Sequence, residues 1–152
     1  MHFDLLHRLL RAAAPVLSAA ARTIGLLGAA VLAAGALLNV ATAPMSQVYQ
    51  QAAEADRASV VLAWQAARGV LDAMLVTGAL LLPAAVVVFG FTLRRDLSPV
   101  LRWGTIALGT AGTAGAAVAA ATPPSALVAI SILGTLAFHL IAGIRWLRLS
   151  RG

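Results

Sequence analysis

His139 is the residue best placed to do chemistry, as the sole ionisable side chain inside any of four long uncharged stretches. It precedes Arg145 by six positions, about 9 Å along a helix. A histidine at such depth is a functional suspect, able to relay protons or hold a polar substrate. A neutral imidazole could equally satisfy itself on Thr135, one turn earlier, or on Thr110. No acid shares its stretch, and His2 and His7 lie near the N-terminus, so haem or metal ligation lacks a second ligand at matching depth. Asn39 is a comparable lone polar group near the end of the first stretch. Arg68 and Asp72 are four apart and share a helix face, fit either to fix helix depth or to clamp a substrate. Pro83 falls mid-stretch, where a missing N–H should bend the helix and make a candidate hinge.

Beyond these groups no catalytic constellation is visible. There is no nucleophile elbow, no phosphate-cradling glycine loop and no metal-ligand cluster. The chain has no cysteine, which removes disulfide and thiol chemistry. All five acids lie outside the uncharged stretches, unlike the small multidrug-exporter pattern with its membrane-embedded glutamate. The expectation is a protein that is not an enzyme and has no cofactor and no metal site.

The elements that must position these residues are the stretches themselves, 23–43, 73–93, 103–121 and 126–144. Some 20 apolar residues cross a hydrocarbon core of roughly 30 Å as a helix. Mean hydropathy is +0.93 and 61% of the 152 residues are hydrophobic, well beyond a soluble domain. The eleven basic residues are all arginine, and nine of them fall in three places: before the first stretch, between the second and third, and after the fourth. Cytoplasmic loops collect arginine, so both termini and the middle link are expected in the cytoplasm. Residues 44–72 then face outward. Trp103 and Trp146 fall at the inner boundary, where indoles are favoured. The net charge of +6 follows this sidedness rather than forming one basic face, which argues against nucleic acid and for anionic headgroups.

Residues 1–22 form a lead-in. Between positions 3 and 12, Phe3, Leu5, Leu6, Leu9 and Leu10 take one side of a helical wheel and Asp4, His7, Arg8 and Arg11 the other. That segregation predicts an interfacial helix on the cytoplasmic surface, ended or bent at Pro15. Ala41-Thr42-Ala43 has the form of a signal-cleavage site, but the apolar run before it is longer than a signal core, and an uncleaved span is expected. In the outer segment, Ser46 is expected to cap a short helix and Ser59 a second helix from Val60.

The third stretch is built of small residues, with Gly109, Gly112 and Gly115 as candidate helix-packing positions. Rows of small residues let membrane helices approach closely. This stretch is expected to be the most enclosed, in the monomer or in an oligomer. The run from Arg22 to Pro44 superposes without a gap on that from Arg102 to Pro124, a hint of a parallel repeat.

Ala55-Asp56-Arg57 ahead of a long span, the Arg94-Arg95 link and the terminal Ala142-Gly143-Ile144-Arg145 give a layout that resembles families of small polytopic bacterial membrane proteins of unknown function. The resemblance covers roughly the last two-thirds of the chain and carries over no activity and no functional residue. The expected fold class is thus an all-α membrane protein, a four-transmembrane-helix bundle in the bacterial inner membrane. It would have an interfacial N-terminal helix, an outer helical segment between spans one and two, and a cytoplasmic tail at 145–152. The expected function is non-catalytic, an accessory, scaffold or oligomer-forming subunit whose partners are the lipid bilayer and a homo-oligomer or other membrane protein. The alternative is a small oligomeric transporter or channel that uses His139 and the Pro83 kink.

Overall fold

The computed structural model describes residues 2–93 and 99–121, and within them every regular element is helical. The order is α1 (His2–Leu10), α2 (Pro15–Thr42), α3 (Met45–Gln51), a 3₁₀ turn (Glu54–Asp56), α4 (Arg57–Thr92) and α5 (Pro99–Ala121). Three segments are long and apolar enough to cross a membrane, centred on α2, α4 and α5. The expected fourth span, 126–144, and the tail lie outside the described residues, as does the Arg94-Arg95 link.

The helix boundaries follow from local chemistry. Pro15 opens α2 at its first turn, where a missing N–H costs nothing. It therefore starts a helix rather than ending one, and α1 stops at Leu10 before the turn through Ala14. Pro44 interrupts the ladder between α2 and α3 for the same lack of an N–H. Ala52 and Ala53 are extended and turn the chain back toward α4. The expected serine caps do not form. Pro44 precedes α3, Asp56 precedes α4, and neither makes a side-chain cap bond. Helix α4 begins at Arg57, three residues ahead of Val60, and its 36 residues extend over about 54 Å.

Helix α4 is the centre of the fold. One of its faces receives α2 and α1, and another receives α5. On α2, Ser18, Ala21, Gly25, Gly28 and Gly35 are buried, at steps of three, four, three and seven that keep one narrow stripe inward. Gly28 sits against Leu81 and Leu82, Leu32 against Gly78, and Gly35 against Met74 and Leu71. The two helices are therefore antiparallel. On α5, Thr105, Gly109, Gly112, Ala116 and Ala119 are buried. Gly90 of α4 meets Ile106, and Gly109 meets Pro83 and Val87, so α5 is antiparallel to α4 and runs in the direction of α2.

One expectation changes here for the single chain. Among the described residues the second span, not the third, is the most enclosed: α4 buries Gly78, Ala79, Pro83, Ala85, Val86, Phe89 and Gly90, whereas α5 buries one face only. A helix with neighbours on two sides must bury two stripes, and the small side chains of α5 do not alter that. The packing also shows that stretches 23–43 and 73–93 are not level. The observed contacts stagger them by about seven residues, some 10 Å. Apolar composition marks how long a span is, but glycine-to-leucine packing sets its register.

Helix α1 folds back along the start of α2. Phe3, Leu6 and Leu10 are buried, whereas Leu5 and Leu9 are exposed. The expected apolar side thus divides, with three of its members packed on protein. Phe3 lies over Gly25, where a Cβ would stand 2.6 Å from the ring, and stacks on Phe89 of α4 with 5.9 Å between centroids.

Candidate functional site

The sequence-derived polar candidates do not converge. Arg68 and Asp72 do pair, with the guanidinium Nε 3.2 Å from one carboxylate oxygen. Both side chains are about half exposed, so the pair is a local one on the helix surface, a few tenths of a kcal/mol in magnitude. Asn39 is exposed near the end of α2, and its carbonyl accepts the Thr42 hydroxyl at 3.0 Å. The α2–α4 register places Arg68 and Asp72 level with the last two turns of α2, and so near the height of Asn39. His139 lies outside the described residues.

Pro83 and Gly109, in contrast, come together. Helix α4 runs unbroken through Pro83, which is fully buried. A Cβ built on Gly109 would stand 2.8 Å from the Pro83 carbonyl oxygen and 2.7 Å from the Val87 side chain. That is closer than any real side chain tolerates, so only glycine permits this approach. Gly112 is buried one turn on, and Gly115 is only half-buried, rotated away from the contact. The hydroxyls of Thr105 and Thr113 donate to carbonyls of their own helix, Leu101 at 2.7 Å and Gly109 at 2.9 Å. Neither is directed at a ligand.

A polar cluster that sequence reading missed joins α1 to α2. Asp4 accepts from Arg22 at 2.8 Å and from Arg8 at 3.0 Å. Nearby, the fully buried Ser18 donates to the Pro15 carbonyl at 3.1 Å. With that proton committed, Ser18 accepts from Nδ1–H of His7, also at 3.1 Å. The Nε of Arg22 is buried without a hydrogen-bond partner among the described residues, as is that of Arg102, whose guanidinium lies 5.7 Å from the Trp103 ring. The missed signal was the α2 stripe itself. Ser18 and Ala21 continue the small-residue face of Gly25 and Gly28 upstream of the first uncharged stretch, where α1 packs.

The cluster has the character of a structural clasp. It holds one nucleophile-type group, Ser18, but that hydroxyl is spent on a carbonyl and enclosed. Among the described residues no group of three or more histidines or acids could hold a metal ion. What the geometry can do is join helices: a central α4 gripped on two sides through glycine contacts, with α1 clasped over one end. No family model, no curated protein and no solved structure matches the chain.

Proposed function

We propose that this chain is a non-catalytic integral membrane protein that acts by helix packing, as an accessory, scaffold or oligomer-forming subunit. The observation that carries the reading is the glycine-mediated contact of α4 with both neighbours, beside outer faces of α2 and α5 that remain apolar and open. Leu26, Leu27, Leu37 and Val40 of α2 are exposed, and so are Ala107, Ala111 and Val118 of α5. Such faces suit lipid or further helices.

In this reading the chain crosses a bacterial inner membrane four times, with 126–144 as the last span and both termini cytoplasmic. The arginine distribution supports that orientation. Arg22 and Arg68 stand about 27 Å apart along the α2–α4 pair, comparable with a hydrocarbon core, while 88–93 and Trp103 reach beyond the level of Arg22 into the inner interface. An ion pair then marks each edge, Asp4–Arg22 inside and Arg68–Asp72 outside. Helix α1 lies at the inner interface with Leu5 and Leu9 toward lipid.

The test combines reporter fusions with assembly measurements. Fusions at both ends should report the cytoplasm, and mass measurement in lipid nanodiscs together with copurification from native membrane should find an oligomer or a stable membrane partner. Ends in opposite compartments would overturn the topology, and a monomer without partner would overturn the scaffold role. A His139→Leu variant separates the transporter alternative. If it folds and assembles normally but loses a transport activity, the protein is a small oligomeric transporter.

A further inference from the structure

Helix α3 and the first turns of α4 enclose an open cleft of about 480 Å³, within the roughly 300–1,000 Å³ of small-molecule sites. Met45 and Tyr49 line it from α3, and Val60, Val61 and Trp64 from α4. The lining is mainly apolar, yet both aromatic residues carry a polar tip and both are more than 40% exposed. The Arg57 guanidinium is held over the Tyr49 ring at 5.6 Å. No carboxylate among the described residues pairs with it, although Glu54 and Asp56 occupy the adjoining 3₁₀ turn.

Position decides what such a cleft meets. By the α2–α4 register, Trp64 lies just beyond the level where α2 ends, one turn past Arg68. Exposed Leu62 and Val61 continue the apolar surface from the cleft toward Val70, and exposed Val40 does so on α2. Tryptophan and tyrosine at that height are the side chains of a membrane–water boundary. The charges are mixed: one guanidinium that rests on a lining tyrosine and has no carboxylate partner among the described residues, and two exposed carboxylates in the adjoining turn. That pattern opposes a net anionic headgroup and complements a zwitterion.

We propose that this cleft binds one zwitterionic phospholipid of the outer leaflet. Its phosphate meets Arg57, its ammonium meets Glu54 or Asp56, and an acyl chain lies along Met45, Val60 and Val61. The assignment rests on the membrane placement given above.

The test uses Trp64 as the probe, in a Trp103→Phe/Trp146→Phe background of the full chain reconstituted into vesicles. Brominated phosphatidylethanolamine should quench Trp64 at least threefold more strongly than brominated phosphatidylglycerol at equal mole fraction. Arg57→Glu should abolish the difference while leaving helicity and resistance to alkaline extraction unchanged. Equal quenching by both lipids, or a preference for the glycerol headgroup, overturns the proposal, as does an Arg57→Glu variant that keeps the ethanolamine preference. Quenching by aqueous iodide but not by lipid also overturns it. A protein released by alkaline extraction would instead refute the membrane placement, so the two failures are distinct.

Discussion

Gly109 packs against Pro83 so closely that a Cβ on Gly109 would stand 2.8 Å from the Pro83 carbonyl oxygen. The contact is backbone to backbone, and it fixes where α5 crosses α4. Proline sharpens it, because its ring already fills part of the helix surface and its carbonyl cannot move aside without disturbing the turn that follows. Gly109→Leu should therefore cost about 1–3 kcal/mol, the range for overpacking a filled site. Gly104→Leu on the same helix should be near neutral, since nothing lies within 4 Å of its Cβ position. Equilibrium unfolding in mixed micelles measures both. Equal effects at the two sites would mean that the close crossing at Gly109 does not decide, since leucine is the better helix former at both.

The register of α2 against α4 is open to a covalent test. The chain has no cysteine, so an introduced pair has no competitors. The Cβ of a residue at 35 would lie 3.4 Å from the Met74 Cβ, close to the separation of bridged cysteines. Gly35→Cys with Met74→Cys should cross-link readily under mild oxidation. Ala43→Cys with Ala73→Cys, which would be level if the two uncharged stretches lay flush, should not. The reverse result would place α4 about seven residues away from the register described.

Phe3 anchors α1 by stacking on Phe89 and covering Gly25. Phe3→Ala removes a buried ring, for which soluble cores lose about 3–5 kcal/mol. The loss should be local, because α1 touches the rest through few side chains and can open as a unit. Trypsin should then cut after Arg8 and Arg11 at least tenfold faster than in the parent, with the helical content of the spans unchanged. Unaltered cleavage would show that α1 is held by something other than this ring.

Asp4 links Arg22 and Arg8, with each arginine partly exposed. Exposed pairs contribute about 0.2–1 kcal/mol, so Asp4→Asn should release α1 only slightly. Asp4→Arg should release it much more, leaving Arg22 beside a like charge with its Nε already unpartnered. Arg22→Asp added to Asp4→Arg should restore protection if the pair acts as a pair. Trypsin is unsuited to these variants, and hydrogen exchange of the α1 amides reads the effect.

Composition and arrangement divide the molecule between them. Leucine and alanine runs without charge determine that residues around 23–43, 73–93 and 103–121 are helical and long enough to span lipid, because only backbone hydrogen bonding within the segment is tolerated there. The Arg68–Asp72 pair was legible too, since a four-residue spacing on a helix needs no partner element. The segregated faces of α1 announced a helix, though not what covers them. Tertiary structure alone decided which helix lies at the centre, the stagger of α2 against α4, the contact of Gly109 with Pro83, and the burial of Phe3 and Ser18. Apolar spans carry no polar stripe to say which face turns inward, so the choice falls to where glycines let backbones meet. That depends on the shape of the opposing helix, which no single segment encodes.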